Sequence, residues 1–144
     1  MLNFEFQNPT KIVFGKDQIK RIGDLIPQDA KVLILYGGGS VKKFGTFDRV
    51  VEALGNREWA EFGGIEANPT YETLIQAVNK IKAEGYDYLM AVGGGSVIDS
   101  GKCASLAATG DAPFWDAMSA GAYGPEAKGA PLVAIPTTAG TGTE

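Results

Sequence analysis

Histidine is missing from this sequence altogether. Any zinc or iron site built from this chain alone would lack the commonest side-chain ligand, so no metal-ligating residue is assigned. Cysteine is nearly missing too. The single Cys103 excludes an internal disulfide and fits a reducing, cytoplasmic compartment. No apolar stretch approaches ~18 residues, so nothing is expected to span a membrane. The opening residues MLNFEFQNPTK lack the basic stretch and apolar run of a signal peptide. Basic residues are in deficit: 13 Lys and Arg stand against 17 Asp and Glu, a net charge of −4 that argues against a nucleic-acid-binding surface.

What remains is enough for a packed core. At 144 residues and 44% hydrophobic, the chain reads as one domain, residues 1–144. Glycine is in excess, 20 of 144 against a usual ~7%, and it clusters at presumed turns. The string GGGSV occurs twice, at residues 37–41 and 93–97, first before Lys42 and Lys43 and then before Ile98 and Asp99.

Periodicity places these turns. The segments FEF and KIVFG, around Asn8-Pro9, suggest a short N-terminal hairpin. Ile19, Ile22, Leu25 and Ile26 recur at helical spacing before Pro27. KVLILY, residues 31–36, is apolar throughout, as in a strand buried on both faces. Phe44, Phe47, Val50, Val51 and Leu54 mark a helix ending near Gly55. EWAEF reads as a second strand, with Trp59 and Glu61 on different faces only if its register shifts. Asn68-Pro69 resembles an N-cap with proline at the first helical position. Leu74, Ile75, Val78 and Ile81 form the next stripe, stopped at Gly85. Residues 86–92 are a third strand and a helix follows to about Ala108. Residues 110–130 are an excursion, and residues 131–136 form a last strand before TTAGTGTE. This alternation predicts an α/β, Rossmann-like, doubly wound, mostly parallel sheet. Both GGGSV copies fall where a buried strand passes into a helix, and in such sheets ligands bind beyond those strand ends.

A glycine turn before a helix exposes backbone N–H groups to an anion, and equally it simply permits a tight turn. Two matching turns plus a Gly/Thr-rich third favour a phosphate ligand. The G-x-G-x-x-G fingerprint fails, because its third glycine would be Lys42 or Ile98. The Walker A pattern fails as well: Gly101-Lys102 is present, but Ser96 stands at the first glycine and Cys103 at the hydroxyl position. Cys103 itself is expected to be a packed apolar group without a basic partner. Phe114 and Trp115 are expected to pack rather than bind.

The stretches GGGSVIDSGK (93–102), GGIEANP (63–69) and PTTAGTGTE (136–144) together resemble signatures of the group III, metal-dependent or "iron-containing" alcohol dehydrogenases. PTKIVFGK and YGGGSVKK are similar to the NADPH-dependent aldehyde reductase and butanol dehydrogenase branch. Thr143 departs from the family's usual serine, and Ser100 and Cys103 also vary.

This resemblance implies an oxidoreductase interconverting alcohols and aldehydes with NADP(H) and a divalent metal, iron or zinc, in the complete enzyme. It implies that the helical domain carrying the metal ligands is missing here, so that this chain alone is inactive. Gly93, Gly94, Gly95 and Ser96 would cradle the pyrophosphate. Gly37, Gly38, Gly39, Ser40 and Lys43 would receive the adenosine end and its 2′-phosphate. Thr138 and Thr141 would meet the ribose or nicotinamide side. Asp99, in the first helical turn after the cradle, would lie near the substrate oxygen; otherwise it is a carboxylate favoured by the helix dipole. Residues 2–6 would pair with a second subunit in a homodimer. Dehydroquinate synthase and glycerol-1-phosphate dehydrogenase share a similar front domain. A non-catalytic nucleotide-binding module or a gene remnant is the reading from another class.

Overall fold

The computed structural model describes residues 3, 8–110, 113–121, 123–124 and 126–143. Four parallel strands form one sheet: β1 (Lys31–Tyr36), β2 (Glu58–Phe62), β3 (Tyr88–Gly93) and β4 (Leu132–Pro136), in the order β2-β1-β3-β4. The helices are α1 (Ile22–Leu25), α2 (Ser40–Lys43), α3 (Thr46–Leu54), α4 (Tyr71–Glu84), α5 (Gly95–Thr109) and α6 (Phe114–Ser119).

The central strands explain the architecture. Val32, Leu33, Ile34 and Leu35 are all fully buried, and so are Leu89, Met90, Ala91 and Val92. Successive side chains of a strand point to opposite faces, so each strand feeds two cores. Leu33, Leu35, Leu89 and Ala91 join Val78 and Ile81 of α4 and Ile98 and Ala104 of α5. Val32, Ile34, Met90 and Val92 join Ile22 of α1 and Phe47, Val50 and Leu54 of α3 on the opposite face. The chain moves from β1 outward to β2 with α3 on one face. It then crosses back with α4 on the other and leaves from β3 to β4 by α5. The strand order therefore reverses between β1 and β3, whose ends carry the two glycine turns.

Several local expectations need correction. The helix expected through Phe44 is broken there: Gly45 takes φ 70°, a left-handed conformation that glycine adopts without steric cost. Phe44 is consequently 71% exposed rather than part of the core stripe. The cap of α4 is Thr70, two residues after Asn68. The Thr73 N–H donates to Thr70 Oγ1, while Asn68 takes φ 54°. Gly85 ends α4 in the left-handed conformation, as expected. β2 pairs with β1 without a register shift, from Lys31 with Glu58 to Leu35 with Phe62. Trp59 and Glu61 therefore share a face, where Trp59 meets Phe47 edge-on. Of the expected hairpin, residues 4–6 lie outside the described residues, and residues 11–15 form no strand. The first helical segment is shorter than its periodicity, a 3₁₀ turn (Gln18–Arg21) running into α1.

Arg57 was not singled out in the sequence. Its buried guanidinium donates to the carbonyls of Gly23, Ile26, Pro27 and Leu54 at 2.6–2.9 Å. It fastens the end of α1 to the end of α3. Among the described residues, no helix is long and apolar enough to cross a membrane.

Candidate functional site

The two glycine turns are neighbours because β1 and β3 are. Tyr36 is the register partner of Val92, and each turn begins on the next residue. A Cβ on Gly37 would lie 3.4 Å from Val97 Cγ2, so the first turn already touches the start of α5. A Cβ on Gly93 would lie 2.7 Å from the same methyl, closer than real Cβ contacts allow. These glycines are needed for close packing at the strand ends.

The second turn meets the tail after β4. A Cβ on Gly94 would lie 3.5 Å from Thr138 Oγ1; one on Gly95 would lie 3.5 Å from Thr141 Cβ and 3.4 Å from Thr143 Cγ2. The Thr141 and Thr143 hydroxyls are 3.0 Å apart, and the Thr137 N–H donates to the Gly93 carbonyl. The structure thus brings Gly93, Gly94, Gly95 and Ser96 together with Thr138 and Thr141. The Val97 and Ile98 N–H groups bond back to the Gly94 carbonyl. Among the described residues no protein acceptor meets the Gly95 and Ser96 N–H groups. Free N–H groups at a helix start suit an anion.

The first turn is an open surface. No atom comes within 4 Å of a Cβ built on Gly38 or Gly39, and Ser40 and Lys43 are exposed. As first and fourth residues of α2 they share a face. Lys42 is engaged elsewhere, its ammonium 2.7 Å from Glu61 Oε2.

The loop of residues 63–70 joins the two turns. The Gly64 N–H donates to the Gly37 carbonyl, the Ile65 N–H to the Tyr36 carbonyl, and the Asn68 N–H to Ser96 Oγ at 3.2 Å. At its base the Glu66 carboxylate accepts from the Thr70 N–H at 3.0 Å and from the Thr73 hydroxyl at 2.8 Å. The Thr70 N–H, the residue's own N–H and the Thr73 hydroxyl hold the Glu66 carboxyl down to about 2. The available signal was an acid four residues ahead of a threonine cap.

Asp99 is exposed and is the fifth residue of α5, not in its first turn, because the helix starts at Gly95. The helix-dipole explanation weakens accordingly, since that effect fades beyond the first turn. Asp99 lies at a cleft of about 240 Å³ walled by Pro69, Tyr71, Leu74, Cys103, Phe114 and Trp115, among others. Burial, then the charge of Asp99, push the Cys103 thiol up, which disfavours the reactive thiolate. Phe114 is buried as expected, but Trp115 is 62% exposed. Both rings contact Tyr71. Gly101, from the failed Walker A comparison, serves packing instead: a Cβ there would lie 3.0 Å from Ala91 Cβ and 3.3 Å from Leu132 Cδ1.

No group of three or more His, Cys, Asp or Glu side chains that could hold a metal occurs among the described residues. The described residues do not fit a metal site of their own.

Comparison with known proteins bears on the family and the fold. The chain is 46% identical over 147 aligned residues to the NADPH-dependent aldehyde reductase YqhD of Escherichia coli, covering 100% of this chain and 38% of that protein. It is 39% identical over 148 residues to a probable NADH-dependent butanol dehydrogenase of Bacillus subtilis, again covering 100% and 38%. The substrate- and cofactor-free crystal form of E. coli YqhD superposes with a TM-score of 0.88 at 43% identity, over 94% of this chain and 36% of that one. An NADH-dependent butanol dehydrogenase from Thermotoga maritima gives 0.85 at 43% identity, over 94% and 34%. This chain therefore spans little more than a third of the length of these relatives. Residues 9–144 match the iron-containing alcohol dehydrogenase family, and with the doubly wound sheet and its paired glycine turns the chain belongs to that family.

Proposed function

We propose that residues 1–144 form the dinucleotide-binding domain of an oxidoreductase that interconverts aldehydes and alcohols with NADP(H). The observation that carries this is the pair of glycine turns lying side by side at the reversal of strand order between β1 and β3, the second of them with free N–H groups at the start of α5. Such reversals form the crevice that receives dinucleotides in this fold class.

The residues fit the cofactor. The Gly95 and Ser96 N–H groups and the Ser96 hydroxyl would hold the pyrophosphate at the start of α5. Gly37, Gly38 and Gly39 leave room for the adenosine end. Ser40 would donate a hydrogen bond to the 2′-phosphate, and Lys43 would neutralise its charge. The first turn has no acidic residue, and an acid there would grip a ribose 2′-OH and repel a 2′-phosphate. Thr138 and Thr141 lie where hydroxyls would reach the ribose or nicotinamide side. Bound NADPH supplies a hydride. Asp99, beside the cleft, would orient the substrate or take part in moving the proton that alcohol formation requires. The E. coli relative is NADPH-dependent and the butanol dehydrogenases above NADH-dependent, so the comparison leaves the cofactor to the first turn.

The test is titration of the purified chain with NADPH and NADH, followed by nicotinamide fluorescence. Saturable binding with NADPH preferred is expected. Absence of binding by either cofactor overturns the reading and favours a non-catalytic role.

A further inference from the structure

The loop of residues 63–70 lies between the two glycine turns, and its anchorage is unusual in one respect. Two anchors use backbone groups, Gly64 to the Gly37 carbonyl and Ile65 to the Tyr36 carbonyl. The third depends on a side chain of the cradle, the Asn68 N–H donating to Ser96 Oγ. Asn68 makes that bond in the left-handed conformation, φ 54°, which asparagine adopts more readily than most residues but still at a cost. Something must close the loop on both sides of Asn68.

Glu66 does so from two residues before. Its Oε1 accepts from the Thr70 N–H at 3.0 Å and the Thr73 hydroxyl at 2.8 Å, and its Oε2 lies 3.0 Å from the same hydroxyl. Thr70 in turn caps α4 through the Thr73 N–H. The carboxylate therefore spans the segment that contains Asn68 and ties it to a helix packed on the sheet. Ser96 Oγ accepts one hydrogen bond from this loop. A hydroxyl has one proton to donate, and among the described residues that of Ser96 has no protein acceptor. With its oxygen engaged by Asn68, the hydroxyl keeps its proton for an acceptor outside the chain, such as an anion held by the Gly95 and Ser96 N–H groups.

We infer that Glu66 is a positioning residue for phosphate binding: by closing residues 66–70 it presents the Asn68 N–H to Ser96 and so orients the Ser96 hydroxyl toward the pyrophosphate of a dinucleotide. This rests on the dinucleotide reading above. Glu66 needs no contact with the ligand, and its effect should vanish when Ser96 has no hydroxyl.

The test is a double-mutant cycle on the purified chain. NADPH dissociation constants are measured for wild type, Glu66→Ala, Ser96→Ala and the double variant, with Asn68 amide exchange followed by NMR. Glu66→Ala is expected to weaken NADPH by about fivefold to tenfold, the scale of one hydrogen bond, and to speed Asn68 exchange. Ser96→Ala should weaken it similarly, and the double variant should be within about twofold of Ser96→Ala alone. Thr73→Val, which removes a donor without touching Glu66, should weaken NADPH in the same direction and serves if Glu66→Ala fails to fold. Glu66→Gln, which keeps an acceptor in place, should restore most of the affinity. Effects of Glu66→Ala and Ser96→Ala that multiply, or a Glu66→Ala variant with wild-type affinity, would overturn the inference while leaving the dinucleotide reading intact. A wild-type chain that binds no dinucleotide overturns both.

Discussion

Lys42 Nζ lies 2.7 Å from Glu61 Oε2, and the same ammonium sits 4.9 Å from the Tyr36 ring centre and 4.7 Å from that of Phe47. The Glu61 carboxylate, then the Tyr36 hydroxyl, raise the Lys42 amine above its ordinary range. Lys42 therefore fastens α2 to the end of β2. Of the two lysines after the first turn, Lys43 is exposed and in no ion pair among the described residues, so on the proposed reading it is the one that would meet a 2′-phosphate. Lys43→Met should weaken NADPH by about threefold to fivefold at low salt, an exposed charge contact, and leave NADH unchanged. Lys42→Met should lower both affinities alike or neither. Equal NADPH losses from the two variants, measured by fluorescence titration, would count against this division.

Gly39→Asp should reverse the cofactor preference. The position is open: no atom lies within 4 Å of a Cβ placed there, and Gly39 has an ordinary negative φ of −68° that any residue can adopt. The new carboxylate would repel a 2′-phosphate and accept a hydrogen bond from a 2′-OH. The combined change is about 2–3 kcal/mol, roughly a hundredfold in relative affinity. A ratio of NADPH to NADH affinity that does not move would remove the first turn from the adenosine site.

Arg57→Met should destabilise the chain by about 2–4 kcal/mol, because four buried or part-buried carbonyls lose a charged donor at once. Chemical unfolding in urea reads this as a lower midpoint at similar slope. An unchanged midpoint would mean that water replaces the guanidinium without loss.

Glu66 makes stability depend on acid. Its folded carboxyl, at about 2, lies below its ordinary 4.5, so its contribution is fully present above 4.5 and fades as pH falls toward 2. The difference in urea midpoint between wild type and Glu66→Gln should therefore shrink from about pH 6 to about pH 2.5. A difference that stays flat or widens over that range has the wrong sign for this carboxylate.

Residues 2 and 4–6 lie outside the described residues, but the segment after them is informative: Ile12 is 74% exposed and Phe14 97%. We expect residues 2–6 to pair with the same segment of a second copy, and the neighbouring Ile12 and Phe14 side chains to be covered along with it. Deleting residues 1–7 should convert a dimer to a monomer in sedimentation velocity. A monomeric intact chain, or a dimer that survives the deletion, contradicts it.

The strands, their order along the chain and the location of both glycine turns were legible in the sequence. The run from Val32 to Leu35 is apolar at every position, as a parallel strand covered on both faces requires. Thr138 and Thr141 could be proposed from their place after the last strand. Their contact with Gly94 and Gly95, more than forty residues earlier, could not be read from periodicity. Strand register and crossovers decide such pairings, and these are properties of the whole sheet. The same holds for Lys42, whose partner Glu61 reaches it only because β2 pairs with β1 without a shift. Local pattern also misjudged Phe44 and Asn68. Helical spacing continues through Phe44 although Gly45 reverses the backbone, and Asn68 looks like a cap although its N–H is taken by Ser96. Side-chain periodicity depends on neighbours along the chain and so survives in the sequence. Which hydrogen bonds and charges find each other depends on distances set only once the two faces of the sheet are packed.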